Sequence, residues 1–365
     1  MNKTAFFWDE RTFWHSGGQY AQLAPVGAFV QPMVAGGLPE APETKRRLLN
    51  LLQVSGLSKQ LSMVGADPAD RETLLRVHPD SYLNAFKDMS DNGGGELGLR
   101  TPFGPGAYEI ASVSAGLVTR AVESVVDGEY DNAYALSRPP GHHCLPDWPN
   151  GFCLFANIAI AVESIMAKGK VSRVAIVDWD VHHGNGSEHI FYNRSDVLTI
   201  SIHQERCYPQ DTGFLERRGS SAGEGFNMNI PLAPGGGHNV YLAAMDKLVL
   251  PQLEAFNPDL IVVACGFDAA GFDPLSRMMC TAETFRLMTR KLMNVSEGRL
   301  VMAHEGGYSE MYVPFCGHAV LEEMSGSDRL VEDPMAKRIA GQQPSKKVDA
   351  FHFSLLDDMH PYFAS

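Results

Sequence analysis

The stretch Val174 to Asn185, V-A-I-V-D-W-D-V-H-H-G-N, drives an apolar run straight into two aspartates, two histidines and a glycine. Four consecutive apolar residues, Val174 to Val177, with β-branching among them, suit a strand buried on both faces. Asp178, Asp180 and His182 follow at intervals of two, so an extended backbone projects them to one side. Buried carboxylates beside a histidine are costly unless a positive charge compensates them. A metal ion is the obvious candidate.

Working outward, the pattern alternates. Strands are expected at Thr4–Trp8, Ala133–Leu136, Val174–Val177, Val197–Ile202, Leu260–Ala264 and Leu300–Met302. Helices are expected at Pro42–Gly56, with Thr44 as N-cap, at Leu74–Asp88, entered near His78-Pro79, and at Ile110–Val126. Further helices follow at Ala156–Lys168, Tyr241–Phe256 and Ala282–Asn294, with a helical turn at His189–Tyr192. Residues 9–42 are irregular and rich in Gly and Pro, and Asn92 to Ala107 reads as a glycine-rich loop. Strands separated by helices imply parallel βαβ units, and no linker or repeat divides the chain, so a single domain over residues 1–365 is expected. The motifs at 137–143, 178–185, 265–268 and 304–308 all follow expected strands. In a parallel sheet they meet at its carboxyl edge, where such folds bind ligands.

Composition narrows the function. A net charge of −13 argues against a general nucleic-acid binder, because no excess of Lys or Arg is present to neutralise phosphates. The six cysteines form no C-x-x-C pair and several sit in apolar runs, so buried reduced thiols are expected. There is no secretory h-region at the N-terminus and no apolar stretch of membrane-spanning length, which leads to the expectation of a cytoplasmic protein with no membrane partner. The 9–42 stretch and the acidic C-terminal segment are the parts left for assembly into a homo-oligomer.

Asp180, His182 and Asp268 are the expected metal ligands. Two oxygens and one nitrogen suit Zn²⁺, and three protein ligands leave a position open for water and substrate. Two carboxylates cancel the ion's formal charge, so such a site needs a general base and an electrophile besides. The tandem His142-His143 in S-R-P-P-G-H-H-C supplies candidates, with Asp178 orienting His142 and Asn185 orienting His143. The carboxylate should raise the first imidazole's pKa, while the amide leaves the second nearer neutral and able to shuttle a proton. Tyr308, after Glu305-Gly306-Gly307, offers a neutral phenol to a developing oxyanion.

H-H-x(8)-G-F-C at 142–153, D-W-D-V-H-H-G-N at 178–185, G-F-D at 266–268 and E-G-G-Y at 305–308 together resemble the arginase–deacetylase superfamily. More narrowly they are similar to class II histone deacetylases and the bacterial histone deacetylase-like amidohydrolases, in order over roughly residues 130–325. The resemblance implies a three-layer α/β fold around a central parallel sheet of about eight strands. It also implies zinc-dependent removal of acetyl or other acyl groups from lysine side chains or similar amines by metal-activated water. Carried over by motif, the zinc ligands are again Asp180, His182 and Asp268, the histidine pair handles protons, and Tyr308 polarises the carbonyl.

The same resemblance places Gly151, Phe152 and Tyr208 on a substrate tunnel, with Tyr208 where the family more often has Phe. Leu275 and Gly306 complete the substrate-contacting set. One or two structural potassium ions are also implied. The first would bind at Asp178, Asp180 and His182, chiefly through their carbonyls, with Ser201 and Ile202. The second would involve Phe191, Arg194, Val197 and Phe226. Weakly active vertebrate relatives have a histidine in place of the catalytic tyrosine; this chain has Tyr308, which points to turnover. Polyamine deacetylases carry a glutamate after the Asp-Pro of this motif, whereas Asp273-Pro274 is followed by Leu275. That favours acyl-lysine over acetylpolyamine; a small-acyl esterase and a non-catalytic acyl-ligand binder are the competing functions. An arginase-like two-manganese site wants a further aspartate where Asn185 stands.

Overall fold

The computed structural model describes residues 2–17, 20–21, 23–25 and 38–363. Eight strands form one sheet: β1 Thr4–Phe7, β2 Ser62–Val64, β3 Asn132–Ala135, β4 Val174–Asp178, β5 Val197–Gln204, β6 Asn227–Leu232, β7 Leu260–Cys265 and β8 Leu300–His304. Their order across the sheet is β6-β5-β4-β7-β8-β3-β1-β2, and every neighbouring pair is parallel. The single α/β domain with helices on both faces matches the expected architecture.

Alternate side chains of the central strands feed two separate cores. Ala175 and Val177 of β4, with Ile261, Val263 and Cys265 of β7, join one apolar cluster. Val174 and Ile176, with Leu260, Val262 and Ala264, join the other. This is why both strands read as unbroken apolar runs: each is covered on both faces, and each fully buried Val, Ile or Leu contributes about 1.5–3 kcal/mol. Helices Ala107–Val126 and Asn157–Ala167 cover one face, and Ala282–Val295 with Val313–Ser325 covers the other.

The four strands that end in chemically loaded motifs, β3, β4, β7 and β8, are the four adjacent strands at the centre of the sheet. Their carboxyl ends therefore open side by side.

Several expectations are corrected. Helix Glu43–Ser55 begins one residue before Thr44, which is buried inside the first turn and caps nothing; Pro42 occupies the cap position. The expected Leu74–Asp88 helix is two helices, Arg71–Leu74 and Asp80–Asp91, because the Pro79 ring cannot continue a helical turn. Strands β2 and β6 were not expected. The first is three residues long, and the second carries Pro231, tolerated because β6 is an edge strand. The helix Lys346–Phe363 was also unread; its Leu356, Met359 and Phe363 close this chain's own core.

Within the 9–42 stretch, Glu10–Trp14 forms a 3₁₀ turn and Tyr20–Ala21 pairs with Ala24–Pro25, while 18–19, 22 and 26–37 lie outside the described residues. All six cysteines are free, five of them buried. Among the described residues no helix is long and apolar enough to cross a membrane.

His78, at the break between the two short helices, is fully engaged as a neutral imidazole. Its Nδ1 donates to the Pro146 carbonyl at 2.7 Å and its Nε2 accepts from the Ala156 amide at 3.0 Å. Burial lowers its pKa to about 4, against the opposing pull of the Pro146 carbonyl. A second proton on Nε2 would break the Ala156 bond. Because the folded pKa lies below the unfolded one, stability is full above about pH 6.5 and falls as pH drops toward 4, on the order of 3 kcal/mol from this residue. Urea unfolding from pH 7 to pH 4 should show a shallower slope for His78→Gln than for the parent. Coincident slopes would contradict this assignment.

Candidate active site

The carboxyl ends of β3, β4, β7 and β8 bring one constellation together. Asp180 and His182 leave β4, Asp268 follows β7, His142 and His143 follow β3, and Tyr308 follows β8. Asp180, His182 and Asp268 are buried, and one ligand atom from each lies within 4.8 Å of the others. His182 Nδ1 is 3.0 Å from Asp180 Oδ1 and 3.0 Å from Asp268 Oδ2. Backbone amides hold the carboxylates from the far side. Val181 N–H donates to Asp268 Oδ1 at 2.7 Å, and Gly306 N–H donates to Asp180 Oδ2 at 2.8 Å.

The donor set fits a divalent cation. Asp268 Oδ2 is buried without an aligned hydrogen bond. Burial and the neighbouring Asp180 push the Asp268 carboxyl up to about 6. Two carboxylate oxygens and one imidazole nitrogen, with no fourth His, Cys, Asp or Glu grouped with them among the described residues, suit a metal that keeps an exchangeable position.

The histidine pair lies as expected. His142 Nδ1 meets Asp178 Oδ2 at 2.9 Å, and His143 Nδ1 meets Asn185 Oδ1 at 2.8 Å. The Asn185 amide nitrogen faces the His143 carbonyl, so its oxygen is the atom turned to the ring, and His143 Nδ1 is the donor. Burial opposes charge on both rings. For His142 the Asp180 and Asp178 carboxylates outweigh it and lift the imidazole to about 10. For His143 burial and the charge on His142 drive the pKa well below 6.5. Burial, together with Asp268 and Asp180, holds the Tyr308 phenol well above 10 and therefore neutral.

A cavity of about 90 Å³ opens over this cluster, lined by His143, Gly151, Phe152, His182, Tyr208, Leu275 and Tyr308, with Cys207, Leu23 and Arg100. Gly151 takes φ +50, and a Cβ there would stand 2.4 Å from the His143 ring, so only glycine fits. Tyr208 packs edge-on to His143 at 5.0 Å and its hydroxyl donates to Asn150. Phe152 packs edge-on to Tyr308 at 5.9 Å. Gly306 stands against the cluster and the Tyr308 hydroxyl, which a Cβ there would approach to 2.9 Å. A Cβ there would meet Asp268 Oδ2 at 2.3 Å and Asp180 Oδ2 at 2.7 Å.

The first set of expected potassium positions lies together. Asp178 pairs in register with Ser201, and both line a small void beside Gly184. Ile202 is next along β5. Phe191, Arg194 and Val197 form the corner before β5, where the Phe191 carbonyl accepts from Arg194 N–H at 2.9 Å. Phe226 faces that strand through Thr199.

Similarity to known proteins agrees with this geometry. The model of the histone deacetylase domain matches residues 38–324. The chain belongs to the histone deacetylase family. A histone deacetylase-like amidohydrolase of Pseudomonas aeruginosa is 54% identical over 365 residues, covering 99% of this chain and 96% of that one. A probable deacetylase of Archaeoglobus fulgidus is 37% identical over 300 residues, 80% of this chain and 83% of that one. The crystal structure of the HDA15 HD domain superimposes with a TM-score of 0.83 at 29% identity, covering 100% of this chain and 98% of that one. The family is one of metal-using amide hydrolases acting on acylated amines.

Sequence reading missed three residues that serve this deacetylase site. Glu305, buried, accepts from Gly141 N–H at 2.7 Å and His142 N–H at 3.1 Å, and so fixes the histidine loop from β8. Asp273 accepts from Tyr308 N–H at 2.7 Å and Leu275 N–H at 2.8 Å, tying the phenol to the cavity wall. Arg138 donates to Glu40 Oε1 and to the Thr12 and His15 carbonyls. Glu305 heads E-G-G-Y and Asp273 heads the Asp-Pro pair, yet nothing local marks either as an acceptor for distant amides.

Gly306→Ala should weaken divalent-metal binding about 10- to 100-fold, because the new methyl displaces both carboxylates. Competition with a chromophoric chelator measures this. Unchanged affinity would mean that the carboxylates can move aside.

Proposed function

We propose that this chain is a zinc-dependent deacetylase that removes acetyl or short acyl groups from lysine side chains or closely similar amines. The observation that carries the reading is the three-residue cluster Asp180, His182 and Asp268 at the floor of a narrow aromatic cavity, with His143 and Tyr308 on its lining. A narrow cavity walled by Gly151, Phe152, Tyr208 and Leu275 suits an unbranched apolar stem carrying an amide at its tip. When bound by Asp180, His182 and Asp268, zinc supplies Lewis-acid polarisation of water and of the acyl carbonyl.

The chain's own residues provide the rest. With Nδ1–H held by Asn185, His143 keeps its Nε2 lone pair free to take a proton from the attacking water. The same nitrogen then returns the proton to the departing amine. His142, paired with Asp178, carries positive charge beside the developing negative charge. Tyr308, neutral and a donor, stabilises the tetrahedral oxyanion. Structural potassium is proposed behind the zinc, at Asp178, Asp180, His182, Ser201 and Ile202, and at the corner of Phe191, Arg194, Val197 and Phe226.

Tyr308→Phe should lower kcat on an acetyl-lysine peptide about 10²–10³-fold, the loss typical of one oxyanion donor, while zinc content measured by mass spectrometry stays unchanged. Near-parental kcat would remove Tyr308 from the reaction. Side-by-side kcat/KM values for acetyl-lysine peptide, acetylputrescine and an aryl acetate test the substrate class; a preference for either of the latter two would overturn the acyl-lysine reading.

A further inference from the structure

Arg100 stands at the cavity and no motif accounts for it. The segment around it is held rigidly: Leu99 and Asn150 form a β-bridge, Gly151 N–H donates to the Leu99 carbonyl at 3.0 Å, and Phe152 N–H donates to the Arg100 carbonyl at 2.9 Å. Arg100 itself sits at φ +57, a left-handed conformation that a long side chain adopts only under outside constraint. Its guanidinium lies 5.1 Å from the centre of the Tyr208 ring, whose edge contacts reach His143 and His182. Arg100 is thus one aromatic ring away from the histidines, partly exposed, and stacked so that its fork is oriented.

Among the described residues no carboxylate comes within 4.0 Å of that guanidinium, although this chain carries a net charge of −13. The other side chains lining the cavity include no Asp or Glu. The segments that supply Cys207, Tyr208 and Leu275 carry Arg206 and Arg277 together with the exposed acids Glu205 and Asp211, while Asp273 is buried and occupied by the Tyr308 and Leu275 amides. An unpaired guanidinium on a cavity lining that has no acid of its own repels a cationic amine and attracts a carboxylate.

We propose that Arg100 is a specificity-determining residue that selects acylated lysines bearing a carboxylate next to the acylated side chain. The carboxylate is that of a neighbouring Asp or Glu in a peptide, or the α-carboxylate of a terminal or free acyl-lysine. The inference rests on the deacetylase reading above and names the substrate class of that same site. The contact lies away from the reacting carbonyl, so it acts on substrate binding and shows in KM rather than in kcat.

The test is kcat and KM for acetyl-lysine peptides flanked by Asp, Asn or Lys, and for acetyl-lysine with a free or amidated carboxyl, on the parent, Arg100→Gln and Arg100→Glu. Each preference is taken as a ratio within one protein, so a change in overall activity does not affect it. The parent should favour Asp over Asn about 5-fold through KM, and about 0.5 M salt should erase the preference. Arg100→Gln should bring the ratio to about one, and Arg100→Glu should invert it in favour of Lys. The free-carboxyl arm separates the two sources of carboxylate. Amides hydrolysed without charge preference, or a preference untouched in Arg100→Glu, would overturn the role of Arg100 and leave the deacetylase reading standing. No turnover of any of the amides would overturn both.

Discussion

The site depends on burying several carboxylates at the carboxyl edge of the sheet, where each would cost several kcal/mol if left alone. The solution is a set of carboxylate-to-amide braces that run between loops. Asp268, after β7, takes the Val181 amide that follows β4. Asp180, after β4, takes the Gly306 amide that follows β8. Glu305, after β8, takes the Gly141 and His142 amides that follow β3, and His142 returns to Asp178 at the end of β4. The four strand ends are thereby cross-linked, and two of the braces are made by the carboxylates of the metal-ligand cluster itself. What remains uncompensated is the space between Asp180, His182 and Asp268, which is where a cation belongs.

The N-terminal segment is tied into that frame by a second buried ionic group. Arg138 and Lys45 each approach Glu40 Oε1 at 3.0 Å, and all three side chains are almost wholly excluded from solvent. Burial opposes the ionised form of Glu40, but the two cations hold its carboxyl at about 2. Arg138 also reaches the Thr12 and His15 carbonyls, and it lies four residues before His142. Removing one member of such a network leaves an unpaired buried charge, a loss of about 3–5 kcal/mol. The loop that carries the histidine pair is therefore fixed from two directions, by Glu305 on the sheet side and by Glu40 and the N-terminal carbonyls on the other.

What the sequence disclosed and what it withheld divide along one physical line. The pairs Asp178–His142 and Asn185–His143 and the Asp180–His182–Asp268 cluster were legible because motifs that follow the strands of a parallel sheet converge at its carboxyl edge. The βαβ rhythm was legible because doubly covered strands are unbroken apolar runs. Strand order was not, since nothing local states that β7 and β8 insert between β4 and β3. Short or Pro-containing edge strands such as β2 and β6 lack the apolar signal that burial imposes on central ones. Glu305, Asp273 and Arg100 were withheld because their partners are amides or rings that only the folded chain brings near.

The histidine pair shows how finely the roles are separated. The two rings lie 3.9 Å apart, too close for both to carry charge comfortably. Both are buried, so burial alone would make both neutral. Two carboxylates near His142 break the tie and place the proton there, and the charge so fixed then holds His143 neutral. Asp180 and Asp178 beside one ring, and the uncharged amide of Asn185 facing the other, thus leave one charged and one neutral imidazole. A base must be empty before the reaction, and an electrostatic partner must be charged throughout it. The proposed division of labour between His143 and His142 follows from the two carboxylates beside the one ring and the uncharged amide that faces the other.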